Sequence, residues 1–395
     1  MSERRRAYLD YNATAPLRPE SRDAMVAALG ATGNASSVHG EGRAARAKIE
    51  AARTDVARLA GGDARYVTFT GGGTEANNTV LTPEWSFNGK LGTLDVLLAS
   101  AVEHVSVLAG GRFAAEAVKT IPVDGNGVVD LAALERMLAA FVADGKRAMV
   151  SVMVANNETG VIQPVADVAR IAHTAGALVH TDAIQAAGRI SLDIGALGVD
   201  VLTLSAHKIG GPQGAGAIVR ASEAWAFAPL TRGGGQEKRL RAGTENVAAL
   251  AGFGAAAKAA LADLGRVGDW TGWRDRLTEI ATAGASKIGR SATIFGADAP
   301  RLPQTLCVAV PGLPAEILLI ALDLAGVAVS SGSACSSGKV AQSHVLAAMR
   351  VSPELARCAI RLSLGWESGP ADLDLFATAW GHVLDQVASG AVRAA

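Results

Sequence analysis

Short, continuous apolar runs alternate along the larger part of the chain with stretches whose apolar positions have helical spacing. Unbroken runs are typical of strands that are buried on both faces, because a half-exposed strand alternates apolar and polar residues. Strands separated by helices predict a parallel sheet covered on both sides, which is a doubly wound α/β domain. The predicted strands lie in RYVTFT, DVLLAS, AMVSVMVAN, ALVHTDA, DVLTLSAHK and GAGAIVR, and the predicted helices in TEANNTVL, HVSVLAGGRFAAEA and PVADVARIAHTAG.

The pattern changes near residue 260, where a helix of small residues, NVAALAGFGAAAKAALADLG, leads into a second unit. In that unit, strand-like segments surround one apolar helical stretch, PAEILLIALDLAG. This arrangement predicts a smaller α+β domain. Its predicted strands lie in TIFG, QTLCVAV, VAVSSGS and AIRLSLG.

Composition narrows the class of partner. The chain has 395 residues, 49% of them hydrophobic and 45 of them glycine, which favours a globular α/β protein of two domains. Lys plus Arg and Asp plus Glu both number 37, so net charge gives no reason to expect nucleic acid or an anionic membrane as a partner. We therefore expect small molecules or proteins as partners.

Targeting signals and cysteine usage bear on the compartment. The basic start MSERRRAYLDYNATAP has no apolar signal-peptide region, and Glu316 and Asp323 interrupt the apolar stretch PAEILLIALDLAGVAV, so no membrane span is expected. The three cysteines are not paired in spacing, which argues against a disulfide framework or a zinc cluster. These features predict a cytoplasmic location.

Cys335 stands in an unusual setting, SSGSACSSG, whereas Cys307 and Cys358 lie in apolar strand-like runs. Serine and glycine favour solvated loops and provide no core around a thiol. A flexible linker with an incidental cysteine and a reactive thiol on a moving loop both fit this composition. For residues 330–344 we expect poor order when no partner is bound.

The segment TGGGTEA joins the strand RYVTFT to a helix that starts near Thr74. Glycines let backbone N–H groups approach an anion, and a helix N-terminus adds a positive dipole end, so the segment predicts a phosphate cradle. It also satisfies the dinucleotide pattern G-x-G-x-x-A, and a tight structural turn is a further alternative.

Two more polar groups follow predicted strands. Asp182 ends the predicted strand within ALVHTDA, with Gln185 a helical turn later, and Lys208 follows His207 after DVLTLS. Asp182 fits either a helix N-cap or the partner of a protonated ring nitrogen. Lys208 fits either a solvated charge or a partly desolvated, nucleophilic amine. An anion cradle, an acid and an amine are the three contacts that pyridoxal 5′-phosphate needs, whereas a nicotinamide cofactor needs only the first.

With these motifs in view, the sequence resembles the cysteine desulfurases of the NifS/IscS type, in the aminotransferase class V group of pyridoxal-phosphate enzymes of fold type I. The resemblance spans nearly the whole chain and depends most on SAHK and SSGSAC. It implies a large domain with a mostly parallel seven-stranded sheet over residues 17–260. A small α+β domain would comprise residues 1–16 and 261–395 and carry the Cys335 loop. The other matching blocks are LDYNATAP, GNASSVHGEGRAAR, FTGGGTEANN, EHVSVL, VANNETGVIQPV, HTDAIQAAG, RAGTENV and IRLSLG.

The resemblance assigns cofactor contacts residue by residue. Lys208 would hold pyridoxal phosphate in a Schiff base, Asp182 would pair with the ring nitrogen, and Gln185 would contact the ring oxygen. His104 would stack on the ring and shuttle protons, although a satisfied core histidine is the alternative. Asn156 would flank the ring. The predicted phosphate contacts are Gly73, Thr74, Ser205, His207 and, from a neighbouring subunit, Thr244, which implies a homodimer.

The resemblance also assigns substrate contacts and an activity. Arg361 and Asn34 would bind the carboxylate of L-cysteine, and Cys335 would take the sulfur as a persulfide while L-alanine leaves. An iron–sulfur scaffold protein would accept the sulfur, with Cys335 as a transient shared ligand of a [2Fe-2S] cluster. A carrier for tRNA thiolation is another acceptor, and a role in nitrogen fixation or in general cluster assembly stays open.

Three other functions compete with this one. A selenocysteine lyase, or another class V lyase or aminotransferase, would share the fold and the cofactor. A nicotinamide oxidoreductase would rest on GGGTEA alone. A non-catalytic sulfur carrier or scaffold-docking protein would have no need to keep Lys208, Asp182 and Arg361 together.

Overall fold

A computed structural model describes residues 5–331 and 342–389. Its strands are short, and most of them are fully buried. They are β1 (Ala7–Tyr8), β2 (Val67–Thr70), β3 (Glu84–Phe87), β4 (Lys90–Thr93), β5 (Val96–Ser100), β6 (Val118–Ile121), β7 (Ala148–Ser151), β8 (Leu178–Asp182), β9 (Val201–Ser205), β10 (Gly216–Arg220), β11 (Trp225–Phe227), β12 (Thr293–Ile294), β13 (Thr305–Ala309), β14 (Val327–Ala328), β15 (Ser330–Ser331) and β16 (Ala359–Ser363).

The helices range from single turns to long rods. They are α1 (Pro19–Leu29), α2 (Gly40–Leu59), α3 (Gly73–Val80), α4 (Val105–Leu108), α5 (Leu131–Ala143), α6 (Val165–Thr174), α7 (Ile194–Leu197), α8 (Val247–Ala262), α9 (Val267–Lys287), α10 (Ala315–Leu324), α11 (His344–Ala348), α12 (Pro353–Ala356) and α13 (Pro370–Ala388). A short 3₁₀ helix, Ala206–Lys208, follows β9 directly.

The large sheet has seven strands in the order β2-β10-β9-β8-β7-β5-β6. Strands β5 to β9 pair in parallel, whereas β10 runs antiparallel to both β2 and β9. The prediction of a large, mostly parallel sheet in an α/β fold is confirmed. The direction of GAGAIVR differs from its neighbours because residues 206–215 are too few to cross the sheet and return in parallel.

Both faces of this sheet are covered, because successive residues of a strand point to opposite sides. Leu98 and Val150 pack in a core that includes residues of α2, α6 and α8. Their strand neighbours Leu97 and Met149 pack in a second core with α3 and with Trp85 of the small antiparallel sheet β11-β3-β4. The continuous apolar runs of the sequence therefore correspond to strands buried on both sides.

The C-terminal unit contains an antiparallel sheet in the order β12-β13-β16-β15. Helices α9, α10 and α13 share its core. The start of the chain belongs to this core too, since Ala7 pairs with Val327 and Leu9 is fully buried among the same residues. The limits of two domains at residues 16 and 260 stay a prediction.

One predicted helix is much shorter than expected. The segment HVSVLAGGRFAAEA forms only the single turn α4, after which Gly110 and Gly111 adopt φ values of 79° and 58°. At Gly111 a Cβ atom would lie 2.3 Å from the carbonyl oxygen of Leu81, so no side chain fits. The left-handed backbone ends the helix there.

One helical stretch of the described residues, Val247–Lys287, is long and apolar enough to cross a bilayer by length and composition, with a hydropathy of 1.5. Half of its apolar window is buried inside the protein, and α8 packs against α1 and α2. The core helix of a globular protein passes the same test, so this stretch is weak support for a membrane span.

Candidate active site

A cavity of about 300 Å³ opens where the carboxyl ends of β8 and β9 meet the C-terminal unit. Ligands of open α/β sheets gather at this edge of the sheet. Its wall joins strand ends, the start of α3, the segment before α1 and the strand β16. The lining residues are Asn12, Ala13, Gly73, Thr74, His104, Ser106, Met153, Ala155, Asn157, Asp182, Ile184, Gln185, Ser205, His207, Lys208 and Arg361.

Asp182 is the last residue of β8 and is buried at the floor of this cavity. Its Oδ2 accepts a hydrogen bond of 2.8 Å from Asn77 Nδ2, and its Oδ1 accepts one of 2.9 Å from the backbone N–H of Ile184. Burial raises the pKa of Asp182, and these two hydrogen bonds oppose that effect. A cationic N–H group in the cavity would offset the cost of the buried carboxylate.

Lys208 ends the 3₁₀ helix after β9 and turns its side chain into the cavity. Its Nζ donates to the backbone oxygens of Asn12 and Ala13, at 2.7 Å each. These carbonyls belong to the segment before α1, and Asn12 is 196 positions from Lys208 along the chain. The Lys208 amine therefore lies where the end of β9 in the large sheet meets the segment before α1.

The predicted phosphate residues surround the start of α3. Gly72 has φ of 151°, a conformation that favours glycine, and α3 begins at Gly73, with Thr74 next. Ser205 and His207 line the same cavity, and an adjoining cavity of about 370 Å³ runs along residues 71–75. Burial lowers the pKa of His207 to about 4, and Lys208 adds to this. The N-terminus of α3 and the neutral side chains of Thr74, Ser205 and His207 suit an anion.

His104 is the N-cap of α4 and lines the cavity. Its Nδ1 accepts a hydrogen bond of 3.2 Å from the backbone N–H of Ser106 and lies 2.8 Å from the Ser106 hydroxyl. Burial lowers the pKa of His104, whereas the Asp182 carboxylate raises it. Because Nδ1 serves as an acceptor, the proton of the neutral ring is on Nε2.

Gln185 has a half-satisfied amide. Its Nε2 donates to the Asn12 carbonyl at 3.0 Å, and its buried Oε1 has no hydrogen-bond partner among the described residues. A buried polar atom of this kind needs a partner, which a bound polar group can supply. Gln185 is thus placed to contact a ligand next to Lys208.

Arg361, on β16, is 3% exposed and lines the cavity from the side of the C-terminal unit. One Nη donates to Asp10 Oδ1 at 2.7 Å, and the other donates to the Asn157 carbonyl at 3.0 Å. Its Nε is buried and has no hydrogen-bond partner among the described residues. The guanidinium therefore keeps donors for a further acceptor.

Three predicted residues do not reach the cavity. The Asn156 side chain instead holds its own turn: Oδ1 accepts from the backbone N–H groups of Glu158 and Thr159 at 2.9 Å. The lining residue is its neighbour Asn157. Asn34 is exposed, accepts a hydrogen bond of 2.8 Å from the backbone N–H of Ser36 and is not among the lining residues, whereas Arg361 is. Thr244 is exposed and absent from the wall in its own chain, and its predicted contact with the phosphate of a neighbouring subunit stays a prediction.

Cys335 and its predicted role as a transient cluster ligand lie outside the described residues, as does most of the loop expected over residues 330–344. The ends of that loop are regular, because Ser330 and Ser331 form β15 and Ser343 is the N-cap of α11.

Cys307 and Cys358 are buried free thiols, and burial raises the pKa of Cys307 strongly. Across residues 5–331 and 342–389, no cluster of His, Cys, Asp or Glu is suited to a metal ion.

Several residues of the site were not found from the sequence. Asn12 and Asp10 come from a segment before the first helix, and Asn77 and Ser106 hydrogen-bond to one another beneath the cavity. Asn77 has a detectable signal: it lies three residues after Thr74 on α3 and therefore on the same face of the helix. Asp10 and Asn12 lie in the matching block LDYNATAP and Ser106 in EHVSVL, but these motifs do not show which of their side chains contact the site.

The residues present fit pyridoxal phosphate. A buried acid, an amine and an anion cradle line one cavity, and the orphan Oε1 of Gln185 adds a polar contact. The close packing of the cradle is visible at Gly73, where a Cβ atom would lie 2.3 Å from the Ile184 side chain. Fold and cavity together define a pyridoxal-phosphate-dependent enzyme of the α/β class.

The comparisons with known proteins narrow this class. The chain matches the family Aminotransferase class-V over residues 7–376. It is 41% identical to a cysteine desulfurase of Cereibacter sphaeroides over 97% of this chain and 96% of that protein. It is 37% identical to the cysteine desulfurase IscS of Dictyoglomus turgidum, over 94% and 92% of the two chains.

A solved structure of a NifS-like protein from Rickettsia africae agrees, with a TM-score of 0.80 and 33% identity over 96% of this chain and 99% of that one. The chain therefore belongs to the aminotransferase class-V family and, within it, to the pyridoxal-phosphate-dependent cysteine desulfurases of the NifS and IscS type. The resemblance drawn from the sequence motifs is confirmed.

Proposed function

We propose that this protein converts L-cysteine to L-alanine and transfers the sulfur to Cys335 as a persulfide. The observation that carries the proposal is the meeting of Lys208, Asp182 and Arg361 on the wall of one cavity. An amine, an acid and a guanidinium at one place match the needs of an α-amino acid and of the cofactor of this family.

Each residue has a stated task. Bound pyridoxal phosphate supplies an electron sink for the α-carbon of the substrate. Asp182 holds a proton at the ring nitrogen, and the Lys208 amine removes the proton from the α-carbon. Gly73, Thr74, Ser205 and His207 hold the phosphate, and Arg361 binds the substrate carboxylate.

The sulfur transfer balances without an added oxidant. The Cys335 thiolate attacks the sulfur of the substrate, so an S–S bond forms and the substrate C–S bond breaks. The electron pair of the C–S bond stays with carbon, which takes up a proton to become the methyl group of L-alanine. The products are L-alanine and the persulfide of Cys335.

We further propose a homodimer, a cytoplasmic location and an iron–sulfur scaffold as the protein that accepts the sulfur, sharing a transient [2Fe-2S] cluster through Cys335. The exposed position of Thr244, away from the cavity of its own chain, supports a contact with a second subunit. The free thiols Cys307 and Cys358 are compatible with a reducing compartment.

Absorbance spectra with and without L-cysteine, coupled to assays of alanine and sulfide, test the proposal. Wild type should show a cofactor band that L-cysteine changes, and Lys208→Ala should lose turnover. Cys335→Ala should keep the band but release no sulfide, whereas Cys358→Ala is the matched control and should keep both. Full sulfide release by Cys335→Ala would show that the nucleophile is another group.

A further inference from the structure

The segment of residues 10–14 connects the C-terminal unit to the cavity. At its start, Asp10 bridges Ser363 of β16 in parallel register, and the Asn12 backbone N–H donates to the Ser363 hydroxyl at 2.9 Å. At its end, Thr14 Oγ1 lies 3.1 Å from Nδ1 of His207. Five residues thus span from the strand of Arg361 to the residue before Lys208.

Asp10 holds one side of the Arg361 guanidinium. The distance from Asp10 Oδ1 to the nearer Nη is 2.7 Å, and the side chains of Asp10 and Arg361 are 20% and 3% exposed. The other Nη donates to the Asn157 carbonyl at 3.0 Å. A charge-assisted hydrogen bond in so buried a place is strong, and two contacts on different nitrogens fix the plane of the group.

The same segment holds Lys208. Its Nζ donates to the carbonyls of Asn12 and Ala13, at 2.7 Å each. The Asn12 side chain keeps this backbone in place, because its Nδ2 donates to Thr305 Oγ1 at 2.9 Å and to the Asn157 carbonyl at 3.2 Å. Asn12 is 1% exposed, so these hydrogen bonds are shielded from water.

The two cationic groups are therefore tied to one short piece of chain. An α-amino acid carries its amine and its carboxylate on a single carbon, so the groups that bind them have to be placed relative to each other. Residues 10–13 contact both, Asp10 through its carboxylate and residues 12 and 13 through their carbonyls.

We propose that Asp10 is a positioning residue that presents the Arg361 guanidinium to the substrate carboxylate. This inference rests on the proposed function, which gives Arg361 that carboxylate. Asp10 and Asn157 take one N–H from each Nη, which leaves the remaining N–H groups of the fork for the substrate. Asp10 does not touch the reacting atoms and acts through Arg361.

Steady-state kinetics of the holoenzyme test this role. Asp10→Asn keeps the shape but removes the charge, so the KM for L-cysteine should rise about tenfold while kcat stays within about twofold. Asp10→Ala should act in the same direction. Asp323→Asn is the matched control, since this exposed acid of the same unit pairs with the exposed Arg6, and its KM should not change. A KM of wild-type size in Asp10→Asn would overturn the inference.

A double-mutant cycle separates action through Arg361 from a general effect. Arg361→Gln should raise KM, and adding Asp10→Asn to it should raise KM no further. Equal effects of Asp10→Asn with and without Arg361 would overturn the inference and leave the proposed function standing. An unchanged KM in Arg361→Gln alone would overturn the inference and the carboxylate-binding role of Arg361, whereas the activity itself is decided by the alanine and sulfide assays.

Binding without turnover gives a second readout. L-Alanine has the carboxylate of the substrate but no sulfur, and cysteamine has the amine and the thiol but no carboxylate. Titrated against the cofactor band of the holoenzyme, L-alanine should bind about tenfold more weakly to Asp10→Asn. Cysteamine should bind both proteins equally, and an equal loss for the two ligands would overturn the inference.

Discussion

Asn156 and Asn157 show how much a sequence motif predicts at the scale of one residue. The segment VANNETG places two identical side chains next to each other, and the sequence does not say which one faces the cavity. The structure uses the Oδ1 of Asn156 to cap the turn at residues 158 and 159, so only Asn157 lines the wall. Residue type was predictable there, whereas orientation depended on local hydrogen bonds.

Glu158, in the same turn, is a buried acid whose contribution to the free energy of unfolding depends on pH. Burial raises its pKa to about 7, while a hydrogen bond of 2.5 Å from the Ser343 hydroxyl and the charge of Arg361 oppose that rise. The raised pKa means that the folded protein holds this proton more tightly than the unfolded chain. The stabilising contribution of protonated Glu158 to the folded state is complete below pH 4.5 and is lost as the pH rises to about 7.

We therefore expect Glu158→Gln to stabilise the protein at high pH. The free energy of unfolding of the variant, relative to wild type, should increase by about 3 kcal/mol between pH 4.5 and pH 8. Urea denaturation at several pH values measures this difference. Glu135→Gln, at an exposed position of α5, is the control, and a pH dependence of the same size there would contradict the assignment to Glu158.

At the scale of elements, β10 shapes the turn that starts α3. Gly216, the first residue of β10, packs directly on the backbone of Gly72, and a Cβ atom there would lie 2.5 Å from its carbonyl carbon. Gly72 precedes α3, whose first turn forms the predicted phosphate cradle. Two glycines from distant segments thus allow the cradle to form.

Gly216→Ala should therefore displace the cradle. We expect about tenfold weaker binding of pyridoxal phosphate and a loss of about 1–3 kcal/mol in stability, because the added methyl group meets backbone atoms that have little room to move. Titration of the cofactor-free protein with pyridoxal phosphate measures the first effect. Gly125→Ala is the control, since no atom of the described residues lies within 4 Å of the added atom, and equal affinities for the two variants would count against this role.

At the scale of the whole molecule, the proposed homodimer can be tested through Thr244, which does not line the cavity of its own chain. Thr244→Val should weaken cofactor binding if its hydroxyl reaches the phosphate of the neighbouring subunit. In a mixed dimer with Lys208→Ala, the intact Lys208 and the intact Thr244 then belong to one site. That dimer should regain the activity of one normal site.

The comparison for this experiment is a mixed dimer of wild type and Lys208→Ala, which should have half the activity of wild type. Differently tagged subunits, co-expressed and purified through both tags, supply both dimers. Activity equal to the mean of the two parent variants would show that Thr244 serves no site across the interface.

The sequence by itself determined the alternation of strands and helices, the strand-end chemistry and the family. These features are local: a buried strand is a continuous apolar run, Asp182 is the last residue of its strand, and Lys208 follows its strand within a few residues. The short segment of residues 206–215 between β9 and β10 could have predicted the antiparallel direction of β10 as well.

Only the tertiary structure decided which residues complete the site. Asp10 and Arg361 are 351 positions apart, and Lys208 is 196 positions from the Asn12 carbonyl that it contacts. No periodicity or spacing connects such pairs, because they meet only after the segment that contains Asp10 and Asn12 has packed against β16. The cavity therefore depends on long-range packing, whereas the chemistry of its strand ends can be predicted from individual sequence motifs.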